Sequence, residues 1–332
     1  MKWYVTLLLG LSVNAVVPSV ATAKTGAYII HPDRTVPASD DEKNDVELVL
    51  CYSFSVKGQN TGTTFLVELP QTIADKQKIL SIECTPKPTR KFERNGNSYA
   101  EFLFNNGANQ FTVVVTIKAE LYRYDLSTAR RKHSKGTKRP DELKDFLKNE
   151  HYIDKDDPQI RNVAAGISAK TETEIVRKIY NYVIDNMEYV VQGEKDLGAA
   201  EALKKKKGDC CEYSDLFVAL CRAKNIPARV VTGYTERFDK VSAKHHWVEV
   251  YLQPYGWVPF DASWGDVDIE WIRNNYFDHM RPVYLYLSNI RNDKTLYNNH
   301  FFAYIYYSKG ITIEDTVRFI KQPNHHKSGR GD

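Results

Sequence analysis

The stretch Lys207 to Tyr234, KGDCCEYSDLFVALCRAKNIPARVVTGY, carries the residues best placed to do chemistry. Asp209 followed three residues later by Glu212 has the spacing of a helix-capping box, which makes Asp209 the N-cap and Cys210 the first helical residue. A thiol there lies where unpaired backbone N–H groups and the helix dipole favour the anion, and thiolate is the nucleophilic form. Tyr213, Ser214, Phe217, Leu220 and Cys221 share the helical face of Cys210, so that face is expected to be buried. A cysteine nucleophile needs a base and a third group to orient that base. Downstream, Lys244 to Asp261, KHHWVEVYLQPYGWVPFD, has the pattern of two strands joined by a Pro-Tyr-Gly turn. Such a hairpin sets a histidine at the start of the first strand opposite an aspartate at the end of the second. Alternation places His245, Trp247 and Glu249 on one face and His246, Val248 and Val250 on the other, so one histidine is expected to face the site.

The chain that must hold these groups has 332 residues, a net charge of +4, 42% hydrophobic and 27% charged residues, which suits two globular domains. Met1 to Ala23 combines a lone Lys2, an apolar run and a small-residue end, the pattern of a secretory signal peptide cleaved after Ala23. Loss of Lys2 lowers the charge from +4 to +3, evenly mixed along the chain, which argues against a nucleic-acid partner. No other run could span a bilayer, so a secreted or periplasmic location without a stable membrane span is expected. Residues 24–125 contain alternating runs separated by Gly/Asn turns and are expected to form a small β-sandwich-like domain without a readable site of its own. Residues 126–150, with the basic RRKHSKGTKR, form the expected linker, and 151–322 the catalytic domain, ahead of a disordered tail at 323–332. The strand-like runs after Asp261 are expected to extend the catalytic sheet, with a hairpin over Ser308-Lys309-Gly310. Glu172 to Tyr189 has Ile175, Ile179, Tyr182 and Val183 at helical spacing. The lysines at 204–207 could add to the field on Cys210, or simply be solvated.

These motifs resemble the transglutaminase-like superfamily, the cysteine enzymes with a papain-like Cys-His-Asp core, in a bacterial-type exported form. Gly208, Cys210, Ser214, Leu216, Phe217 and the run Ile226 to Arg229 match the family's nucleophile signature; His245, Trp247, Glu249 and Tyr251 match the second; Gly256, Trp257 and Asp261 match the third. The resemblance covers roughly Asp154 to Ala262. It selects Cys210 over Cys211 and His245 over His246, and it implies an α+β fold in which the helix bearing the cysteine packs on an antiparallel sheet. Asn225 stands where the family usually has Gly, and Asp209 where tissue transglutaminases carry Gln, which weakens a cross-linking assignment.

The expected catalytic residues are therefore Cys210, His245 and Asp261, acting without a cofactor or metal in a thiol hydrolase that cleaves a peptide, isopeptide or other amide bond of a peptide or protein, cell-wall peptide being one candidate. Two alternatives stand beside it: a protein-glutamine acyltransferase using the same residues, and a non-catalytic binding module that kept the fold. A metal site from Cys210, Cys211, His245 and His246 is disfavoured because adjacent residues are expected to point to different sides. The second oxyanion donor is unassigned, with Tyr189 one guess. Of the five cysteines, Cys221 is expected to be a packed core thiol and Cys211 a structural one; Cys210 and Cys221, roughly 16 Å apart along a helix, cannot bridge. A bridge between Cys51 and Cys84 is left open.

Overall fold

A computed structural model describes residues 42–105, 107–129, 141–191, 195–236, 243–277 and 279–320. The expected signal peptide at 1–23, the segment up to 41, the basic run at 130–139 and the tail at 323–332 lie outside the described residues. The alternating runs become β1 (Lys43–Lys57), β2 (Thr63–Leu69), β3 (Gln77–Thr85), β5 (Asn97–Phe104) and β6 (Gln110–Tyr122). Between them lies β4 (Arg90–Arg94), whose polar, mostly exposed RKFER gives no alternation to find. The two-residue β7 (Tyr124–Asp125) follows, then α1 (Pro158–Gly166), α2 (Glu172–Asn186), β8 (Glu188–Tyr189), α3 (Gly198–Lys205), β9 (Lys207–Gly208) and α4 (Cys210–Ala223). The chain continues through β10 (Ala228–Thr235), β11 (Lys244–Leu252), β12 (Gly256–Phe260), α5 (Glu270–Asn275), β13 (His279–Met280), β14 (Tyr284–Ser288), β15 (Phe302–Tyr306) and β16 (Gly310–Ile320).

Two four-stranded sheets, ordered β16-β1-β6-β3 and β15-β2-β5-β4, enclose one apolar core. Leu48, Leu50, Val115 and Ile117 enter it from the first sheet and Phe65, Val67, Phe102 and Phe302 from the second, which is the expected sandwich. The C-terminal strands correct the expected layout. β16 pairs antiparallel with β1 and β15 with β2, so each adds an edge to a sandwich sheet rather than to the catalytic one. The segment Tyr307 to Lys309 accordingly crosses between sheets and makes no hairpin. Period-two alternation shows that a strand has a buried face, not which open edge it will cover.

The sandwich also settles the Cys51 to Cys84 question. Both are free thiols, on strands separated by β6. Cys84 pairs with Val115 on the core side, whereas Cys51 pairs with Val114 on the outer side, so the two face opposite ways and no bridge forms.

The third sheet, β12-β11-β10-β14, is antiparallel, and β14 extends it as expected. Helix α4 packs on its Val248 and Val250 face, and α1, α2 and α3 pack around α4. Every residue of α4 from Cys211 to Arg222 is buried, so burial exceeds the single face the periodicity implies. In α2 the buried stripe is Val176, Ile179, Tyr180, Val183 and Ile184, with the expected Ile175 and Tyr182 at its margins. Among the described residues no helix is long and apolar enough to cross a membrane.

Candidate active site

The start of α4 is fixed by side chains reaching back on the turn before it. Asp209 Oδ1 accepts from the Cys211 N–H at 3.0 Å, and Glu212 Oε2 accepts from the Asp209 N–H at 3.0 Å, completing the expected capping box. Glu212 Oε1 also accepts from Leu197 N–H at 2.9 Å, which ties the preceding loop to the same carboxylate. A Cβ on residue 208 would overlap the Glu212 side chain, so only glycine lets this carboxylate fold back over the turn. Cys210 is thereby held at the first helical position, half-buried, beside a buried Cys211.

The second half of the site comes from the β11-β12 hairpin, whose register pairs Leu252 with Gly256 and Val248 with Phe260. Continued one step, this register sets Asp261 opposite Trp247 and diagonal to His245. Across that diagonal His245 Nε2 meets Asp261 Oδ2 at 2.7 Å. The Tyr284 hydroxyl donates to the same oxygen at 2.9 Å, while Ser263 Oγ and Trp264 N–H donate to Oδ1 at 2.9 and 3.0 Å. Trp264 stacks on the His245 ring with centroids 4.9 Å apart. With Nε2 engaged, Nδ1 is the nitrogen left to meet the thiol.

The electrostatics couple these groups. Cys210 is held well below the usual thiol range, first by a hydrogen bond from the Cys211 thiol, against the opposing effect of burial, and then by His245 and His246. Cys211 is pushed well up as the donor in that bond and by burial. Burial works against a charged His245, yet the charge of Asp261, its hydrogen bond and Cys210 outweigh it and raise the imidazole to about 9. The lysines at 204–207 are exposed and none is among the groups that lower Cys210.

All three residues expected to act are thus brought to one place, and two further ones join them. Adjacent cysteines were expected to diverge and His246 to face away; instead His246 Nδ1 lies 3.3 Å from Cys211 Sγ and 3.7 Å from Cys210 Sγ. His246 does not face away because it shares the face of Val248 and Val250, which is the face α4 packs on, and both cysteines, in the first turn of that helix, stand within reach of its Nδ1. Behind His246 the buried Arg291 binds Asp215 at 2.7 and 2.9 Å, Asp196 at 2.9 Å and His300 at 2.9 Å, and the His300 ring meets that of His246 at 4.6 Å. Ser263 and Trp264, two and three residues after Asp261, had a local turn spacing that could have signalled them. Tyr284 and Arg291 had none. Tyr189, the guessed oxyanion donor, pairs with Gly208 and packs its ring 5.9 Å from that of Tyr213.

Residues 161–262, which contain the capped helix and the hairpin, match the Transglutaminase-like superfamily. This segment is a transglutaminase-like core. The chain is 28% identical over 120 residues to human kyphoscoliosis peptidase, covering 32% of this chain and 18% of that protein, so it spans less than a fifth of that relative's length. An uncharacterised Haemophilus influenzae protein is 24% identical over 282 residues, covering 74% of this chain and 76% of its own. A solved structure of a candidate cysteine protease from Cytophaga hutchinsonii superposes with a TM-score of 0.58 at 18% identity, covering 85% of this chain and 93% of that one. The likeness therefore extends in fold beyond the transglutaminase-like core to most of the described chain.

Proposed function

We propose that the protein is an exported thiol hydrolase that cleaves a peptide, isopeptide or other amide bond through Cys210, His245 and Asp261. The observation that carries this reading is the 2.7 Å contact of His245 Nε2 with Asp261 Oδ2. It leaves Nδ1 for the thiol, and Cys210 and His245 shift each other's proton affinity as an ion pair would. In the reaction the Cys210 thiolate attacks the amide carbonyl, and the oxyanion that forms is met by the backbone N–H of Cys210, those of Cys211 and Glu212 being taken by the Asp209 cap. His245 Nδ1–H then protonates the leaving amine as the C–N bond breaks. Water, deprotonated by the now neutral His245, attacks the thioester and releases the acid, and the thiolate and imidazolium are restored. Asp261, fixed by Tyr284, Ser263 and Trp264, holds the ring through both halves.

The export part rests on the pattern of Met1 to Ala23, and N-terminal sequencing of secreted protein should find Lys24 first. The chemistry is tested by alkylating Cys210 at mildly acid pH and by analysing products of glutaminyl and isopeptide substrates. Rapid labelling that is lost in His245→Ala, with release of free acid, is expected. Labelling indifferent to His245 would leave only a binding module, and incorporation of an added amine would make the protein an acyltransferase instead.

A further inference from the structure

Hydrolysis as described takes its nucleophile and base from one cysteine and one histidine of two adjacent pairs, while Cys211 and His246 touch neither substrate nor leaving group and serve only to favour the Cys210 thiolate. Both are buried, at 9% and 5% exposure. The hydrogen-bond partners of His246 Nδ1 are the two sulfurs of Cys210 and Cys211, and its Nε2 is buried without a partner among the described residues. The three ligand atoms all lie within 4.8 Å of one another.

We propose that Cys210, Cys211 and His246 form a binding site for a sulfur-seeking, closed-shell divalent cation of the zinc class, and that its occupation silences the nucleophile. A tetrahedral zinc ion with Zn–S of about 2.3 Å and Zn–N of about 2.1 Å separates its sulfur and nitrogen ligands by about 3.6 Å. The distances from Nδ1 to the two sulfurs, 3.3 and 3.7 Å, bracket that edge. Two edges of one tetrahedral face therefore already stand near the required length, the sulfurs lie within 4.8 Å of each other, and two thiolates with one imidazole are the donor set that favours zinc over hard, oxygen-seeking cations. Cys210 is half-buried and provides the approach from solvent.

Binding is balanced simply. Cys210 enters as thiolate, Cys211 gives its S–H proton to solvent as its sulfur–metal bond forms, and His246 offers the Nδ1 lone pair with its own proton on Nε2. The fourth position remains for water, as in sites that hold the ion with three protein ligands. A Cys210 sulfur bonded to the cation has given much of its charge to the metal and is held against it, so its attack on a carbonyl is slowed and occupation competes with acylation. The silencing rests on the function proposed above, whereas the binding does not.

The test uses the full purified chain, stripped of metal, titrated with zinc against a chromophoric chelator and separately with cobalt(II) as a spectroscopic probe. One ion per chain is expected, with a thiolate-to-cobalt charge-transfer band and the intense visible bands of a tetrahedral site. Cys211→Ser and His246→Ala should each weaken binding by about tenfold or more. Iodoacetamide labelling of Cys210 should slow by about tenfold or more in zinc-saturated wild type and recover in either variant. His245→Ala separates the two readings: it should lose hydrolysis and keep the cation. An octahedral cobalt spectrum without charge transfer, or zinc affinity unchanged in both ligand variants, would overturn the proposal; if a variant fails to fold, the cobalt spectrum of the wild type still decides.

Discussion

Lys76, just before β3 of the sandwich, forms a buried ion pair with Glu249 of the catalytic sheet. The same carboxylate accepts from Arg229 Nε and Nη2 at 2.8 and 2.6 Å, so one anion from β11 is shared by a cation of its own sheet and a cation of the sandwich. Arg229 and Glu249 are both residues of the sequence signatures, and their role is to join β10 to β11 and to anchor the sandwich.

Removal of Lys76 leaves Glu249 still paired with Arg229, while removal of the Glu249 charge takes the shared anion from two buried cations at once. Lys76→Met is therefore expected to cost about 1–3 kcal/mol, and Glu249→Gln about 3–5 kcal/mol, in urea unfolding of the whole chain. Equal costs for the two would mean that the shared-carboxylate arrangement is wrong.

Asp261 accepts four hydrogen bonds, so its substitutions should separate orientation from folding. Asp261→Asn turns an acceptor towards His245 into a donor or forces a flip, and should lower kcat by about 10⁴-fold if the ring orientation matters as in other triads. Tyr284→Phe removes one donor to the same oxygen and should cost about 10- to 150-fold, because a hydrogen bond to a charged group contributes about 1.5–3 kcal/mol. A Tyr284→Phe loss as deep as that of Asp261→Asn would assign the hydroxyl a direct part in the reaction.

Much of this site was legible because its signals are local. The Asp209 and Glu212 box lies within four residues, and the His245 to Asp261 hairpin closes over a single turn. The unforeseen partners come from far along the chain. Tyr284 reaches Asp261 across 23 residues, Arg291 reaches Asp215 across 76, and Lys76 reaches Glu249 across 173. Nothing in a window of sequence encodes such a meeting. The convergence of Cys210, Cys211 and His246 was hidden for a different reason: alternation does put His246 on the face of Val248 and Val250, but nothing local to the strand tells that this is the face on which α4 and its first turn lie.

The pH dependence follows from two displaced groups. His245, raised to about 9 over burial by the charge of Asp261, keeps its proton across the neutral range, and the stabilisation this gives is complete below about 6.5 and lost as pH rises through about 9. Cys210 is displaced downward, so thiolate persists into acid and is lost only as pH falls through its lowered value. Alkylation of Cys210 is expected to remain fast below neutrality, and kcat/KM should fall on the alkaline side near pH 9. In His245→Ala the alkylation profile should move up towards the ordinary thiol value of about 8.5. An unchanged profile would show that the thiolate is held by Cys211 and His246 without His245, which is the outcome that leaves only a binding module.

The C-terminal strands make a prediction about what can fold alone. The sandwich looks in sequence like a unit ending near residue 125, yet β15 and β16 cover the open edges of β2 and β1 and bring Phe302 and Tyr304, each 1% exposed, into its core. A fragment of residues 42–125 would expose two long strand edges and leave voids where those rings sat, so it is expected to aggregate or to show no cooperative unfolding by circular dichroism. Phe302→Ala in the full chain should cost about 3–5 kcal/mol, as for other buried aromatic truncations. Because Leu285 and Leu287 of β14 share that core, the loss should reach the catalytic sheet and lower activity and sandwich stability in one transition. A soluble, cooperatively folded 42–125 fragment would show that the first and last parts of the chain are not interdependent.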